Sequence, residues 1–361
     1  MQGMSVHDRL AGQLDRLCHV VGLDPAAPVQ LLSGVLGEHG QRPLAAPPVW
    51  PSGVADDHSP IEFSLAYNAS EPPALRILAE VLAPAPTVAA NMAATYDFLH
   101  HHAERYGLST GRLDAVRDLF DHDSPYGDFG IWISLVFRAG RRPEFKVYLN
   151  PEVAGVDRAP EIVAEALRRL GLSSAYSVML DRAVRPGELG RRDRLTFFAL
   201  DLHDGPQARV KLYLSHHDAG VDDVARASTT VDGVDPAEVA AFCARSTGTA
   251  RFAGRPLVGS YTITEGAGRP VGYSIYVPIR DYVDDDQKAY DRMRPLLDSY
   301  GFDRTVLDRA ITAVTDRQLD RGVGLLAHVS LRLGPPRPGV TVYLSSEAYQ
   351  VMPPRPLSVP A

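Results

Sequence analysis

The residues with the clearest capacity for chemistry lie in the segment ARVKLYLSHHD, residues 208–218. Arg209, Lys211 and Tyr213 occupy every second position there, with apolar residues between them. In a β-strand, alternate side chains point to the same face, so these three side chains would share one face. Two cations beside a phenol can bind an anion through charge and hydrogen bonds. The pattern therefore predicts an anion site on one face of a strand.

Strand-like segments that contain a tyrosine at the same place recur along the chain. EFKVYLNPE, ARVKLYLSHHD, GYSIYVPIRD and GVTVYLSSEAY carry Tyr148, Tyr213, Tyr276 and Tyr343, which are 65, 63 and 67 residues apart. A near-constant spacing indicates a repeated supersecondary unit. Each unit also contains an earlier strand and a helical pair, and IEFSLAYN with ALRILAEVL forms a fifth hairpin. The sequence therefore predicts five helix-helix-strand-strand units.

These hairpins must bury their apolar faces. Consecutive antiparallel hairpins covered by helices close most economically into a barrel, which also removes exposed strand edges. We therefore predict an α+β fold with ten antiparallel strands in a closed barrel surrounded by helices. The face opposite the helices then points inward, so the cationic and aromatic residues line the lumen.

The chain of 361 residues is predicted to be a single domain. We assign residues 1–40 to N-terminal helices and residues 41–60 to a proline-rich connection that cannot continue them. Residues 61–350 contain the barrel repeats, and residues 351–361 form a tail.

The predicted lumen gathers positive charge. Buried cations without partners are costly, and few acids occupy matching strand positions, so an anion is needed. A bound diphosphate would supply that charge, and neighbouring tyrosine rings would attract a carbocation. Together they would stabilise both products of the ionisation of an allylic diphosphate. The inward-facing candidates are Glu62, the cations Arg76, Lys146, Arg209 and Lys211, and the tyrosines Tyr148, Tyr213, Tyr276 and Tyr343.

The composition argues against several other classes of protein. A formal net charge of -7 disfavours a general nucleic-acid binder, because phosphate backbones are bound by basic surfaces. The two cysteines, Cys18 and Cys243, provide no disulfide framework, which fits a reducing compartment. No signal peptide is recognisable, and no window approaches the ~20 apolar residues of a membrane span. We expect a soluble cytoplasmic protein without nucleic-acid or membrane partners.

With these motifs, the chain resembles the dimethylallyltryptophan synthase family of indole prenyltransferases, which share the ααββ prenyltransferase barrel. The resemblance rests on the repeat, on Glu62 in PIEFSLAYN and on the strands FKVYLNP and RVKLYL, and it extends from about residue 58 to residue 350. The short chain and its Ala, Arg and Asp usage favour the bacterial branch. The resemblance implies transfer of a dimethylallyl group from dimethylallyl diphosphate to the indole of L-tryptophan or a tryptophan-derived metabolite, by Friedel-Crafts alkylation in secondary metabolism.

The resemblance also implies a role for each candidate residue. Glu62 would accept a hydrogen bond from the indole N–H and make the ring more nucleophilic. The four cations would bind diphosphate, and the four tyrosines would shield the allyl cation. Ser274 stands where fungal members often have glutamine, and Tyr349 is a further candidate for the shield. Trp132 is a candidate for the wall of the acceptor pocket, with core packing as the alternative.

No metal or other cofactor is expected. The family needs no metal for catalysis, and Lys and Arg can provide the charge neutralisation that Mg²⁺ provides elsewhere. DYVDDDQKAY is similar to the DDxxD box of other prenyl-transfer enzymes, but Lys288 and Ala289 occupy the positions where its third acid would stand. We predict instead a solvated loop that opens a helix, where acidic residues are favoured.

Two alternatives stay open from the sequence. A prenyltransferase acting on phenols or naphthalenes would use the same barrel, although a carboxylate at Glu62 favours an N–H donor. A non-catalytic barrel that binds anionic amphiphiles would show diphosphate-dependent stabilisation without turnover. The position of prenylation on the indole and the length of the prenyl donor are also open.

Overall fold

A computed structural model describes residues 3–69, 71–122, 124–205, 207–334 and 338–355. The predicted tail is thus described only to residue 355, and residues 356–361 lie outside the described residues. The strands of the barrel are β1 Ile61–Asn68, β2 Glu71–Ala79, β3 Ile131–Phe137, β4 Glu144–Leu149, β5 Asp193–Asp201, β6 Val210–His216, β9 Leu257–Ile263, β10 Gly272–Val277, β11 Leu326–Leu333 and β12 Gly339–Ser345, and the short pair β7 Ala219–Gly220 and β8 Arg251–Phe252 forms a separate ribbon.

The ten long strands close into one antiparallel barrel, in the order β1-β12-β11-β10-β9-β6-β5-β4-β3-β2. From β1 to β12, neighbouring strands of the barrel follow one another along the chain, except that the β7–β8 ribbon is inserted between β6 and β9. The last strand pairs with the first, with Glu62 opposite Ser345 and Asn68 opposite Gly339. The predicted closed barrel is confirmed.

Helices surround this barrel. In the described part of the chain they are α1 Val6–Val20, α2 Ala26–Leu36, α3 Val88–Tyr106, α4 Gly111–Asp114, α5 Ala159–Arg169, α6 Ser173–Ala183, α7 Val221–Ser228, α8 Pro236–Thr247, α9 Asp286–Ser299 and α10 Thr305–Val314. One pair precedes each barrel hairpin, an order that fits the predicted fivefold repeat. None of the described helices combines the length and apolar character needed to cross a membrane.

Alternation along each strand separates a hydrophobic exterior from a polar lumen. On β6, Val210, Leu212 and Leu214 are almost completely buried in the core between the barrel and the helices. Lys211 and Tyr213, which lie between them, face the lumen and line its cavity. The period of two in the strand therefore decides which side chains reach the site.

The proline-rich connection packs against the end of the barrel opposite the hairpin turns. Trp50 and Ser52 donate hydrogen bonds of 3.1 and 2.6 Å to the carboxylate of Glu80, which follows β2. Asp56 forms ion pairs of 2.8 Å with Arg255 and 2.7 Å with Arg280, which flank β9 and β10. These contacts anchor the connection across several hairpins.

A fully buried ion cluster lies at the start of β5. The Asp193 carboxylate accepts hydrogen bonds from Arg185 Nε at 3.0 Å and from the Arg185 backbone N–H at 2.7 Å. His216 Nδ1 lies 3.0 Å from the same carboxylate. The side chains of all three residues are inaccessible to solvent. The cluster therefore depends on mutual pairing for its charge balance.

We expect Asp193→Ala to lower the free energy of unfolding by about 3–5 kcal/mol, because the buried Arg185 guanidinium loses its 2.9 Å partner and keeps, among the described carboxylates, only Asp223, at 3.7 Å. Urea denaturation of the purified variant measures this loss. Glu188→Ala, which breaks the exposed pair with Arg191, is the control and should change stability by less than about 0.5 kcal/mol. Equal effects of the two variants would contradict the structural role of the cluster.

Candidate active site

The barrel encloses a cavity of about 770 Å³. All ten long strands contribute lining residues, and the cavity extends to the hairpin turns, where Asn68, Arg138 and Gln207 line it. The cavity is therefore the lumen predicted from strand parity, and it reaches the surface at the hairpin end.

The structure brings all four predicted cations together in this cavity: Arg76, Lys146, Arg209 and Lys211. Arg76 lies on β2, Lys146 on β4 and Lys211 on β6, while Arg209 directly precedes β6. The Nε atom of Arg76 is buried without a hydrogen-bond partner among the described residues. The cluster thus has donor capacity that an anion would fill.

Burial and mutual repulsion oppose the charged form of both lysines. Burial lowers the pKa of Lys146 to about 8, against the attraction of Asp201 and with repulsion from Arg209. Burial, followed by repulsion from Lys146 and Arg209, holds the pKa of Lys211 well below its ordinary value. A polyanion in the cavity would raise both pKa values and favour the ammonium forms.

Several charged residues of the cavity were missed by the sequence analysis, and Asp201 and Arg332 are the two that lie closest to the predicted site residues in the strand register. Asp201, at the end of β5, lies 2.9 Å from Lys146 and 2.6 Å from Arg209. Arg332, on β11, donates a 3.0 Å hydrogen bond to Asn68. The expectation that few acids share the cationic face therefore overlooked Asp201. The alternation of inward and outward positions in RLTFFALDL could have predicted that Asp201 faces inward. The same alternation in LLAHVSLRL could have predicted it for Arg332.

The four tyrosines form a continuous belt of rings across β4, β6, β10 and β12. Ring centroids are 5.7 Å apart for Tyr148 and Tyr213, 5.5 Å for Tyr213 and Tyr276, and 6.1 Å for Tyr276 and Tyr343. Burial raises the pKa of Tyr148, Tyr213 and Tyr343, so these phenols stay neutral at physiological pH. A row of neutral ring faces beside cations can stabilise a carbocation next to its leaving anion.

The belt continues into an aromatic wall that includes a further residue not predicted from sequence. Phe197, on β5, contacts Tyr213 edge to face at 5.7 Å and lies 5.5 Å from Trp132. Trp132 stacks on Phe129 with centroids 4.3 Å apart and lies against Gly53 of the connection. Trp132 therefore lies opposite Tyr148 in the register of β3 and β4 and contacts the connection, but it does not line the 770 Å³ cavity.

Glu62 shares the inward parity of Ser64 on β1, but it is not among the residues that line the 770 Å³ cavity. Ser64, two residues farther along β1, pairs with both Arg76 and Tyr343, so Glu62 is displaced from them by about 7 Å along the strand. Glu62 is 5% exposed, and burial, with repulsion from Asp56, raises its pKa to about 8. A polar ligand that donates an N–H would favour the carboxylate form and lower this pKa.

The remaining candidates differ in their placement. Ser274 is buried, lines the cavity and lies opposite Arg332 on the neighbouring strand. Tyr349 is not a lining residue of this cavity. It follows β12, donates its backbone N–H to Asp57 at 2.9 Å and packs on the hydrophobic core. Strand parity no longer fixes the direction of a side chain beyond the end of β12 at Ser345, so a shield role for Tyr349 stays a prediction from the resemblance.

Among the described residues, no group of three or more His, Cys, Asp or Glu side chains is arranged to hold a metal ion. Asp285 caps α9 by accepting a 2.8 Å hydrogen bond from the Lys288 backbone N–H, as the prediction of a helix opening required. Asp286, however, is fully buried and bonded to Arg317 and to the Leu326 backbone N–H. The prediction of a solvated loop was therefore wrong for Asp286, which has a structural role.

A sequence profile of the family described as Tryptophan dimethylallyltransferase matches residues 30–309. The chain belongs to this family. The structure is similar to that of 6-dimethylallyltryptophan synthase from Micromonospora olivasterospora in complex with DMASPP and Trp, with 67% identity, a TM-score of 0.95 and coverage of 98% of this chain and 100% of that chain.

Two further solved structures extend the comparison. The 5-dimethylallyl tryptophan synthase from Streptomyces coelicolor in complex with DMASPP and Trp is 37% identical, with a TM-score of 0.89 and coverage of 99% of this chain and 100% of that chain. AnaPT from Neosartorya fischeri is 15% identical, with a TM-score of 0.76 and coverage of 96% and 93%, and shares the fold. The predicted family and barrel are confirmed, and membership of the tryptophan dimethylallyltransferase family makes the protein a prenyltransferase.

Proposed function

We propose that the protein transfers the dimethylallyl group of dimethylallyl diphosphate to C6 of the indole ring of L-tryptophan. The observation that carries this proposal is the interior of the barrel: a cation cluster, an adjoining tyrosine belt and, one inward position away along β1, a buried glutamate. The 67% identity with 6-dimethylallyltryptophan synthase supports both tryptophan as the acceptor and C6 as the position. The prenyltransferase activity itself follows from family membership.

The donor diphosphate would occupy the cation cluster near the hairpin end. Arg76, Lys146 and Lys211 would neutralise its charge, with Arg209 and Arg332 as further ligands. As the C1–O bond breaks, the electron pair leaves with diphosphate and positive charge develops on the allyl group. The tyrosine rings would face that charge and exclude water that would otherwise capture the cation.

The acceptor would lie between the tyrosine belt and Glu62. Its indole N–H would donate to the Glu62 carboxylate, which increases electron density in the ring and fixes its orientation. Attack of C6 on the allyl cation forms the new C–C bond, and transfer of the C6 proton to the released diphosphate would restore aromaticity. Trp132 and Phe197 would supply the apolar wall along which the indole stacks.

We propose that this reaction needs no metal. In excess EDTA the initial rate should stay within about twofold of the untreated rate, because guanidinium and ammonium groups supply the charge that stabilises the leaving diphosphate. The assay compares enzyme dialysed against EDTA with the same enzyme after addition of excess Mg²⁺. Loss of activity that Mg²⁺ restores would contradict metal-independent ionisation.

The test of the proposed function is incubation with L-tryptophan and dimethylallyl diphosphate, followed by mass spectrometry and NMR of the product. We expect one added C5H8 unit and the loss of the C6 aromatic proton. A product alkylated at another indole carbon would overturn the assignment to C6. Turnover of a naphthol or of a tryptophan-derived metabolite with a higher kcat/KM would instead identify that class as the acceptor.

A further inference from the structure

One carboxylate lies within the cation cluster, and each of its oxygens holds a different cation. Asp201 stands directly opposite Lys146 in the register of β4 and β5. Lys146 Nζ lies 2.9 Å from Oδ1, while Oδ2 accepts the Arg209 Nε–H at 2.6 Å and the Arg209 backbone N–H at 3.2 Å. Asp201 is 4% exposed. Its carboxylate is therefore engaged on both sides by the cations that line the donor cavity.

The Asp201 carboxylate would repel a bound diphosphate, so its presence beside the cations needs a physical explanation. The reason lies in the surroundings of Lys146. This side chain is largely buried, and most of the charged groups around it are positive. The charged and titratable groups around Lys146 and Asp201 are Arg76, Arg112, Glu144, Tyr148, His203, Arg209 and Lys211. The arginines stay charged in any case, but Lys146 needs a nearby anion to remain an ammonium ion before diphosphate binds.

We propose that Asp201 is a positioning residue for the donor: it holds Lys146 as an ammonium ion and orients Arg209 along the cavity wall before diphosphate binds. This inference rests on the proposed donor site. Cations that are already charged and oriented need no reorganisation when the diphosphate arrives. The repulsion that Asp201 exerts on diphosphate is offset by this preorganisation, and it also favours release of the product.

The pKa of Lys146 provides a way to test the proposal by experiment. Burial lowers the pKa of Lys146 to about 8, and Asp201 is the group that opposes this effect most strongly. Replacing Asp201 with a neutral side chain removes the attraction and leaves repulsion from Arg209 and Arg76, so the pKa falls further. Lys146 is then neutral over more of the pH range above 7. The loss of donor binding should therefore increase with pH.

The experiment measures kcat/KM for dimethylallyl diphosphate between pH 6 and 9, at saturating tryptophan, in the wild type and in Asp201→Asn. Ionisation of the donor is the same for both enzymes and cancels in their ratio. We expect the alkaline decline to begin about one pH unit lower in the variant. The deficit should grow by roughly tenfold between pH 6.5 and 8.5, mainly through KM. A deficit that is equal at every pH would overturn the proposal.

Two further variants separate positioning from a general structural effect. Asp201→Glu keeps the charge and should restore the alkaline limb toward that of the wild type, even if the rate falls. In a Lys146→Met background, Asp201→Asn should lose the pH-dependent part of its effect, because the residue through which Asp201 acts is absent. Persistence of that part would contradict the role assigned to Lys146. If Asp201→Asn unfolds, the single variants Asp201→Glu and Lys146→Met carry the test: the alkaline decline should be kept in the first and absent in the second, and the reverse in either would overturn the proposal.

Failure of this inference can be told apart from failure of the proposed function. Calorimetric titration with inorganic pyrophosphate tests the donor site directly. A wild-type enzyme that neither binds pyrophosphate nor uses dimethylallyl diphosphate would remove the donor site and the inference with it. An active wild type whose pH profile is unchanged by Asp201→Asn would remove only the role of Asp201.

Discussion

Glu62→Gln should lower kcat with tryptophan by about 100-fold or more while leaving the fold intact. The carboxamide has nearly the same shape, but it cannot carry the negative charge that strengthens a hydrogen bond from the indole N–H. Because Glu62 is only 5% exposed, bulk water does little to compensate for the lost negative charge. Steady-state kinetics with tryptophan, together with a thermal melt, measure the two parts of this expectation.

The pH dependence of the same variant provides its control. Burial raises the pKa of Glu62 to about 8, so in the free enzyme the active carboxylate is populated only as the pH approaches and exceeds that value. For the wild type, kcat/KM for tryptophan should therefore rise with pH toward 8, and in Glu62→Gln this rise should be absent. Glu161→Gln, on the exposed surface of α5, should retain the wild-type profile. Near-normal turnover by Glu62→Gln would remove Glu62 from the mechanism.

Lys211→Met should raise the KM for dimethylallyl diphosphate and lower kcat/KM for this donor by about 10- to 100-fold. Methionine keeps much of the apolar stem of a side chain that is 8% exposed, but it removes the ammonium that would meet a phosphate oxygen. The effect on the KM for tryptophan should be small, since Lys211 belongs to the cation cluster that we assign to the donor diphosphate. Steady-state kinetics with each substrate varied in turn measure this separation.

The chain offers a matched control for this substitution. It contains three lysines, of which Lys146 and Lys211 line the cavity and Lys288 is exposed on α9. Lys288→Met changes the net charge by the same amount outside the barrel and should leave both KM values unchanged. Unaltered donor kinetics in Lys211→Met would contradict the placement of diphosphate against β6.

Assignments that rest on local alternation proved robust. Strand side chains point to opposite faces with a period of two, so Lys211 and Tyr213 had to share a face whatever the partner strands were. The near-constant tyrosine spacing located equivalent positions in successive hairpins, and the four rings do meet in one belt. Alternation does not extend to Tyr349, which lies beyond the end of β12 and does not line the cavity.

The missed residues of the cavity are those whose role depends on a partner from another strand. The parity of Asp201 in RLTFFALDL is a weak signal on its own, because an acid at the end of a strand is common on protein surfaces. It becomes informative only when the register of β4 and β5 places it opposite Lys146. Phe197 is similar, since an inward phenylalanine gains its role from Trp132 and Tyr213 on neighbouring strands.

The sequence by itself thus determined the class of fold, the face on which the cations and tyrosines lie and the kind of ligand that such a face requires. All three follow from short-range periodicity and composition. The tertiary structure decided which cations are paired, how far Glu62 lies from the cation cluster and how strongly burial shifts each pKa. These depend on barrel closure and strand register, which bring together residues that are far apart in the chain.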